Sequence, residues 1–342
     1  MATNPQRMQF NQSVKADFVE SFSFRGYSAD GRYAFVIEYR LHKTLQGVVL
    51  TVSFACFDKI LTKTYTIHEQ QLLSLNQLEM FLAQKTWQQC VFSLESGGFF
   101  EIGHDVLRGK LHSHAGSFSW HLRLQRHHQT WQLNNRLWYL VPFWPRHKLQ
   151  LADINIKYLG KINSSHVDWA GDFKGSSCHY WGYGYPTEYA VALTHQFNSN
   201  REGFFCGLSQ RSSFKVGLTL PYCSLATFKI GQKTYHFQEL SQCLRHKVTA
   251  LDDYHWHIRY QNADYILEVE IEGANPRLTP WISWQDVSAK AIKASPFAQG
   301  KFTLYHRKTL QIEECLNSQQ VFLQSHLPEN NVSSEESFWL SP

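Results

Sequence analysis

Ser117–Leu124 reads SFSWHLRL. Successive side chains of a strand point to opposite faces, so Phe118, Trp120, Leu122 and Leu124 fall on one side and Ser119, His121 and Arg123 on the other. A strand with one apolar and one polar face belongs in an antiparallel sheet that is wet on one side. The same texture extends outward from this stretch. The turn signal YSADG (Tyr27–Gly31) precedes the strand candidate Arg32–Leu41, and Val48–Phe57 follows it. Further strands are expected over Trp87–Leu94, Gly98–Ile102, Val106–Leu111 and Thr130–Tyr139. Ile67–Gln84 breaks the pattern: Leu72, Leu73, Leu75, Leu78, Phe81 and Leu82 recur at helical spacing and predict the one clear helix of this half.

VPFWP (Val141–Pro145) interrupts the run, because two prolines three residues apart do not fit a central strand. A domain junction is therefore expected near residue 150, and a chain of 342 residues is long enough for two cores. The expected organisation is an N-terminal β domain over 1–150, a C-terminal β domain over 151–327, and a polar, flexible tail over 328–342. In the second domain strands are expected over Ile154–Leu159, Ser164–Asp168, Ala190–Phe197, Gly203–Leu208, Phe214–Leu220, Leu225–Ile230, Lys233–Phe237, Trp256–Tyr260, Ala263–Glu272, Ala289–Ala294 and Gly300–Tyr305. Short strands at regular spacing indicate sandwiches or barrels. The composition agrees: 24 Phe, 16 Tyr and 11 Trp bring the aromatic share to 15%, and rings suit pleated, half-buried surfaces.

Charge and cysteine usage exclude several function classes. The net charge is only +5, with basic residues scattered along the chain, so nucleic acid is not an expected partner; phosphate binding needs clustered Lys and Arg. Peripheral contact with an anionic membrane surface stays compatible with that charge. No run of eighteen apolar residues occurs, and MATNPQRMQFNQSV lacks a signal-peptide h-region, so a cytoplasmic protein is expected. Seven widely spaced cysteines without a CxxC pair suit reduced thiols.

Among chemical motifs, His112 with His114 and His255 with His257 are i, i+2 pairs that each share a strand face. Neither has a third ligand at metal-site spacing, and no metal is expected. GxSxG, GxGxxG and GxxxxGK[ST] are all missing, which leaves nucleophile elbows and nucleotide cofactors without support. What remains is VDWAGDFKGSSCHYWGYGYPTEY (Val167–Tyr189), dense in rings, with glycines at 182 and 184 and a proline at 186. Taken alone, the glycines and Pro186 could make a tight turn and the rings fill a barrel mouth.

The frame WGYGYP, preceded by DWAGDFKGSSCHY and followed by a strand and Asn198, resembles the tocopherol cyclase family. Phe18–Tyr39, Pro145-Arg-His147 with Gly160-Lys-Ile, and Ser295-Pro296 with Gly300-Lys-Phe-Thr-Leu resemble further segments of that family in the same order. A more distant similarity links the turn before Trp-Gly to the lipocalin-like carotenoid hydratases. The resemblance implies two lipocalin-like antiparallel β-barrel domains in tandem, and a cofactor-free, proton-initiated cyclisation of a prenylated phenol, quinol or related isoprenoid. Where the family carries Glu-Lys before the Trp, this chain has Cys178-His179, and Ser21-Phe22-Ser23 stands where the family has Gly-Trp-Tyr. The chemistry needs a positioned acid, aromatic faces for a carbocation and exclusion of water. His179 is the expected acid or orienting group, with Glu188 or Asp168 as its partner and Asp172 a further candidate acid. Trp169, Tyr180, Trp181, Tyr183, Tyr185 and Tyr189 are the expected substrate wall. The alternative is a non-catalytic carrier of an isoprenoid or lipid on the same scaffold.

Overall fold

The computed structural model describes residues 8–11, 13–84, 90–113, 116–126, 131–132, 147–184, 186, 188–198, 202–211, 221–243, 245–252, 254–273, 282–285 and 291–327. The chain forms two compact units, the first through Tyr185 and the second from Pro186. Both are curled antiparallel sheets, and together they form a tandem lipocalin-like β protein.

The first unit contains β1 (Phe18–Ser28), β2 (Tyr33–Lys43), β3 (Val48–Asp58), β4 (Lys63–Leu73), α1 (Leu75–Ala83), β5 (Cys90–Ser93), β6 (Phe99–Ile102), β7 (Val106–Ser113), β8 (Gly116–Gln125), β9 (Trp131–Gln132), β10 (His147–Ser164) and β11 (Asp168–Tyr183). Its strand order is β4-β3-β2-β1-β11-β10-β8-β7-β6-β5, with β9 beside β10. The curl brings β4 to β7 and the loops beside it. There the Glu69 carboxylate accepts from the His112 backbone N–H and the Ser96 hydroxyl, and Gln71 pairs with Glu95. Phe118, Trp120, Leu122 and Leu124 of β8 all point into the core, as their alternation predicts. The core is ring-rich; Phe54 stacks on Trp120 at 5.2 Å.

The second unit contains β12 (Glu188–Thr194), β13 (Gly203–Arg211), β14 (Cys223–Ile230), β15 (Lys233–Phe237), the short α2 (Leu240–Cys243), β16 (Lys247–Leu251), β17 (His255–Gln261), β18 (Tyr265–Glu272), β19 (Ile282–Gln285), β20 (Ala291–His306) and β21 (Ile312–His326). Its order, β15-β14-β13-β12-β21-β20-β18-β17-β16, repeats that of the first unit: a four-strand meander pairs through its first strand with the last strand of the unit.

Three sequence expectations are corrected. The segment Ile67–Gln84 is half strand, half helix: β4 runs to Leu73 and α1 starts after Ser74, which caps it reciprocally with Gln77. In β4 Ile67, Gln71 and Leu73 are buried while Leu72 is exposed, a period of two that the leucine run obscured. The strand expected over Ser164–Asp168 is instead the junction of two: Ser164 ends β10, Asp168 starts β11, and residues 165–167 turn between them. The units part after Tyr185 and not near residue 150, because β10 and β11 pair with β8 and β1. The Trp-Gly motif therefore belongs to the first unit. Residues 133–146 around the VPFWP signal, Phe214–Leu220 and the 328–342 tail lie outside the described residues.

Cys56, Cys90, Cys178 and Cys315 are free thiols. Burial pushes the Cys56, Cys90 and Cys178 thiols up, which makes them poor nucleophiles. No described helix is long and apolar enough to cross a membrane.

Candidate functional site: a buried His179–Glu20 pair

Strands β1 and β11 build the site. Their register sets Phe18 opposite Tyr183, Glu20 opposite Trp181, Phe22 opposite His179 and Phe24 opposite Ser177. Directly opposite residues share a face, and here it is the face that carries the core of the first unit. The two strands approach closely at Gly26 and Gly175, where a Cβ on Gly175 would sit 1.8 Å from the Arg25 carbonyl oxygen. At the far end of β11 the chain turns through Gly184, whose φ of 68° favours glycine.

Within this apolar stripe Glu20 is 0% and His179 1% exposed, and His179 Nε2 lies 2.7 Å from Glu20 Oε1. The backbone N–H of Gln9 donates to the same carboxylate at 2.9 Å and that of Phe10 to Oε2 at 2.5 Å. A buried carboxylate is costly unless paired, and three N–H donors converge on this one. Met8 and Phe10 are themselves buried in the core, and Phe10 packs edge-on against Phe18 at 5.7 Å. The segment from Met8 to Asn11 thus covers the pair.

Rings enclose the imidazole. Trp181 lies 4.6 Å from it and Phe22 5.7 Å, both tilted. Directly across β10, Gln150 faces His179. Beyond Gln150 the β10 ladder is irregular on both sides of Asp153, which forms a buried ion pair with Arg126 at 2.8 Å. Bulges re-aim side chains and are frequent beside active sites.

The predicted site residues separate accordingly. His179 and Trp181 come together, and Tyr183 shares their face but is 40% exposed, its ring edge-on to Phe18 at 5.1 Å. Tyr180 points to the opposite face, its hydroxyl bonded to the Gly184 carbonyl and to His147 Nδ1. Trp169 stacks on Tyr33 at 4.2 Å, ten residues before His179 on β11, roughly 33 Å away along the strand. Asp168, one residue further, is exposed, as is Asp172. Glu188 and Tyr189 belong to β12 in the second unit. There Glu188 accepts from Arg211 and from the Tyr222 hydroxyl, and Tyr189 accepts from Gln324. Burial pushes the Tyr222 phenol up. Tyr185 lies outside the described residues.

Sequence reading missed Glu20, Gln150 and Ser177. A signal for Glu20 was present: FVESFSF (Phe18–Phe24) puts a carboxylate in the middle of a strictly apolar stripe of rings. Among the described residues no group of three or more His, Cys, Asp or Glu is arranged to hold a metal; His114 of the first histidine pair is outside them. His255 bonds Asp252 at 3.0 Å instead.

Fold and site together define a tandem lipocalin-like β protein with a closed histidine–carboxylate pair in its first sheet. No family model matches the chain, and no curated protein matches it. Solved structures do share its fold. A protein assigned as AttH from Nitrosomonas europaea superposes with a TM-score of 0.58 at 10% identity, over 94% of this chain and 96% of that one. Kievitone hydratase from Nectria haematococca gives 0.53 at 10% identity over 96% and 94%, and CghA gives 0.51 at 9% over 91% and 88%.

Proposed function

We propose that the first unit catalyses proton-initiated addition to an alkene, in the manner of tocopherol cyclase: ring closure of a prenylated phenol, quinol or related isoprenoid without a cofactor. The observation that carries this reading is the Glu20–His179 pair, buried among rings and bonded at 2.7 Å. The family resemblance left His179 without a carboxylate next to it in sequence; Glu20 supplies one from β1.

In the proposed reaction the His179–Glu20 pair is the proton donor. Its proton passes to the less substituted carbon of a trisubstituted double bond, and a tertiary cation forms at the other carbon. The faces of Trp181 and Phe22 stabilise that cation. The phenol oxygen then bonds to the cationic carbon, its O–H proton returns to the pair, and a chroman ring results with no net gain or loss of atoms. Water would quench the cation, and exclusion of water is what the near-zero exposure of the pair supports. Addition of water across a double bond begins with the same protonation, and one structural neighbour is a hydratase by name. Access requires the Met8–Asn11 segment to lift from Glu20.

The test is incubation with geranylgeranyl hydroquinone and analysis for chroman product. His179→Ala and Glu20→Gln are each expected to lower product formation by about 100-fold or more. The Cys178-His179 departure favours a second reading, a carrier, which would return the hydroquinone intact.

A further inference from the structure

Two polar side chains beside His179 have hydrogen-bonding capacity that no described residue takes up. Gln150 sits directly opposite His179 on the neighbouring strand, which places their Cβ atoms about 5 Å apart. Ser177 precedes His179 by two residues on β11, about 7 Å along the same face. Both are at least 99% buried. Gln150 Nε2 and Ser177 Oγ have no hydrogen-bond partner among the described residues. Leaving such groups unpaired in an apolar interior is costly, and leucine or alanine would fill either position without that cost. The irregularity of β10 begins one pair beyond Gln150–His179, between Leu151 and Asp153, and Asp153 is the residue that pairs with Ser177.

We propose that Gln150 and Ser177 form an oxygen-recognition subsite: the amide N–H and the hydroxyl hold a ring oxygen of a phenol or quinol head group, and so present the attached chain's double bond to His179. This deepens the cyclase reading and rests on it. The subsite selects for an oxygenated ring; a hydrocarbon of the same shape leaves both groups unpaired and gains nothing from them.

Binding of two probes separates the possibilities: geranylgeranyl hydroquinone, and the same chain on a benzene ring without oxygens. Gln150→Leu and Ser177→Ala are each expected to weaken hydroquinone binding about tenfold and to leave the benzene probe unchanged. Each is also expected to raise the Tm of the ligand-free protein by roughly 2–4 °C, because an unpaired buried group is removed. Equal weakening for both probes, or a Tm that falls, overturns the subsite while leaving the cyclase reading standing. A wild-type protein that binds neither probe overturns the quinol reading itself and the subsite with it.

Discussion

Glu20 and Glu188 are both nearly inaccessible carboxylates on β-strands, and their neighbours give them opposite roles. Glu20 faces an imidazole, two rings and two backbone N–H groups, while Glu188 is held by Arg211 and Tyr222. A guanidinium and a phenol saturate the second carboxylate, so its expected contribution is to stability. Glu188→Gln should destabilise the second unit by about 1–3 kcal/mol in urea melts and leave chroman formation unchanged. Lost activity at unchanged stability would return Glu188 to the chemistry. His179 was legible because it stands in the Trp-Gly motif, where local sequence carries the information. The ring stripe of Phe18–Phe24 marks Glu20 as unusual but not as the partner of His179, because that partnership spans 159 residues and exists only through the β1–β11 register. Asp168 failed as a partner for a simple reason of length: a strand moves eleven residues away by more than 30 Å.

At the scale of elements, alternation was the dependable signal. The strands expected over Arg32–Leu41 and Val48–Phe57 correspond to β2 and β3, and Ser117–Leu124 to β8. The helix expectation absorbed β4 because Leu72 and Leu73 mimic helical spacing; the capping residues Ser74 and Gln77 mark the true start. Proline signals misplaced the domain junction, since the long antiparallel pair β10–β11 that follows them completes the first sheet instead of opening the second. The Met8–Asn11 segment covers Glu20, and the proposed reaction requires it to lift. It is anchored by Phe10 in the core and by two N–H bonds to the carboxylate. Phe10→Ala should loosen that anchor and raise the association rate of geranylgeranyl hydroquinone at least about tenfold in stopped-flow fluorescence, by populating the open form. An unchanged rate would place the route to His179 elsewhere.

Across the whole molecule, one strand order is used twice with different interiors. The second unit fills its sheet with Phe205, Phe228, Trp256, Tyr260 and Phe302, and its buried Ser209 is satisfied by Ser224 and Trp256. The first places Gln150 and Ser177 beside the buried Glu20–His179 pair, with Gln150 Nε2 and Ser177 Oγ unpaired among the described residues. The second unit also has its own pH dependence. Burial lowers His246 from the ordinary 6.5 to about 4, and its Nδ1 accepts the Gln261 N–H, which requires an unprotonated nitrogen. The unfolded chain takes up a proton near pH 6.5 and the folded unit does not until about pH 4. The stabilisation is therefore complete above pH 6.5, falls between about 6.5 and 4, and levels off below, with a total on the order of 3 kcal/mol. His246→Gln should flatten that part of the urea-midpoint profile, and a profile with the wild-type slope would contradict the assignment.

If Glu20 and His179 act as one proton-transfer unit on an alkene, turnover of geranylgeranyl hydroquinone in D2O, followed by mass spectrometry of the product, reads that transfer directly. The wild type is expected to form a chroman carrying one carbon-bound deuterium, and both His179→Ala and Glu20→Gln are expected nearly to lose it. Hydroquinone recovered intact from the wild type, or chroman formed at full rate by either variant, would contradict that role.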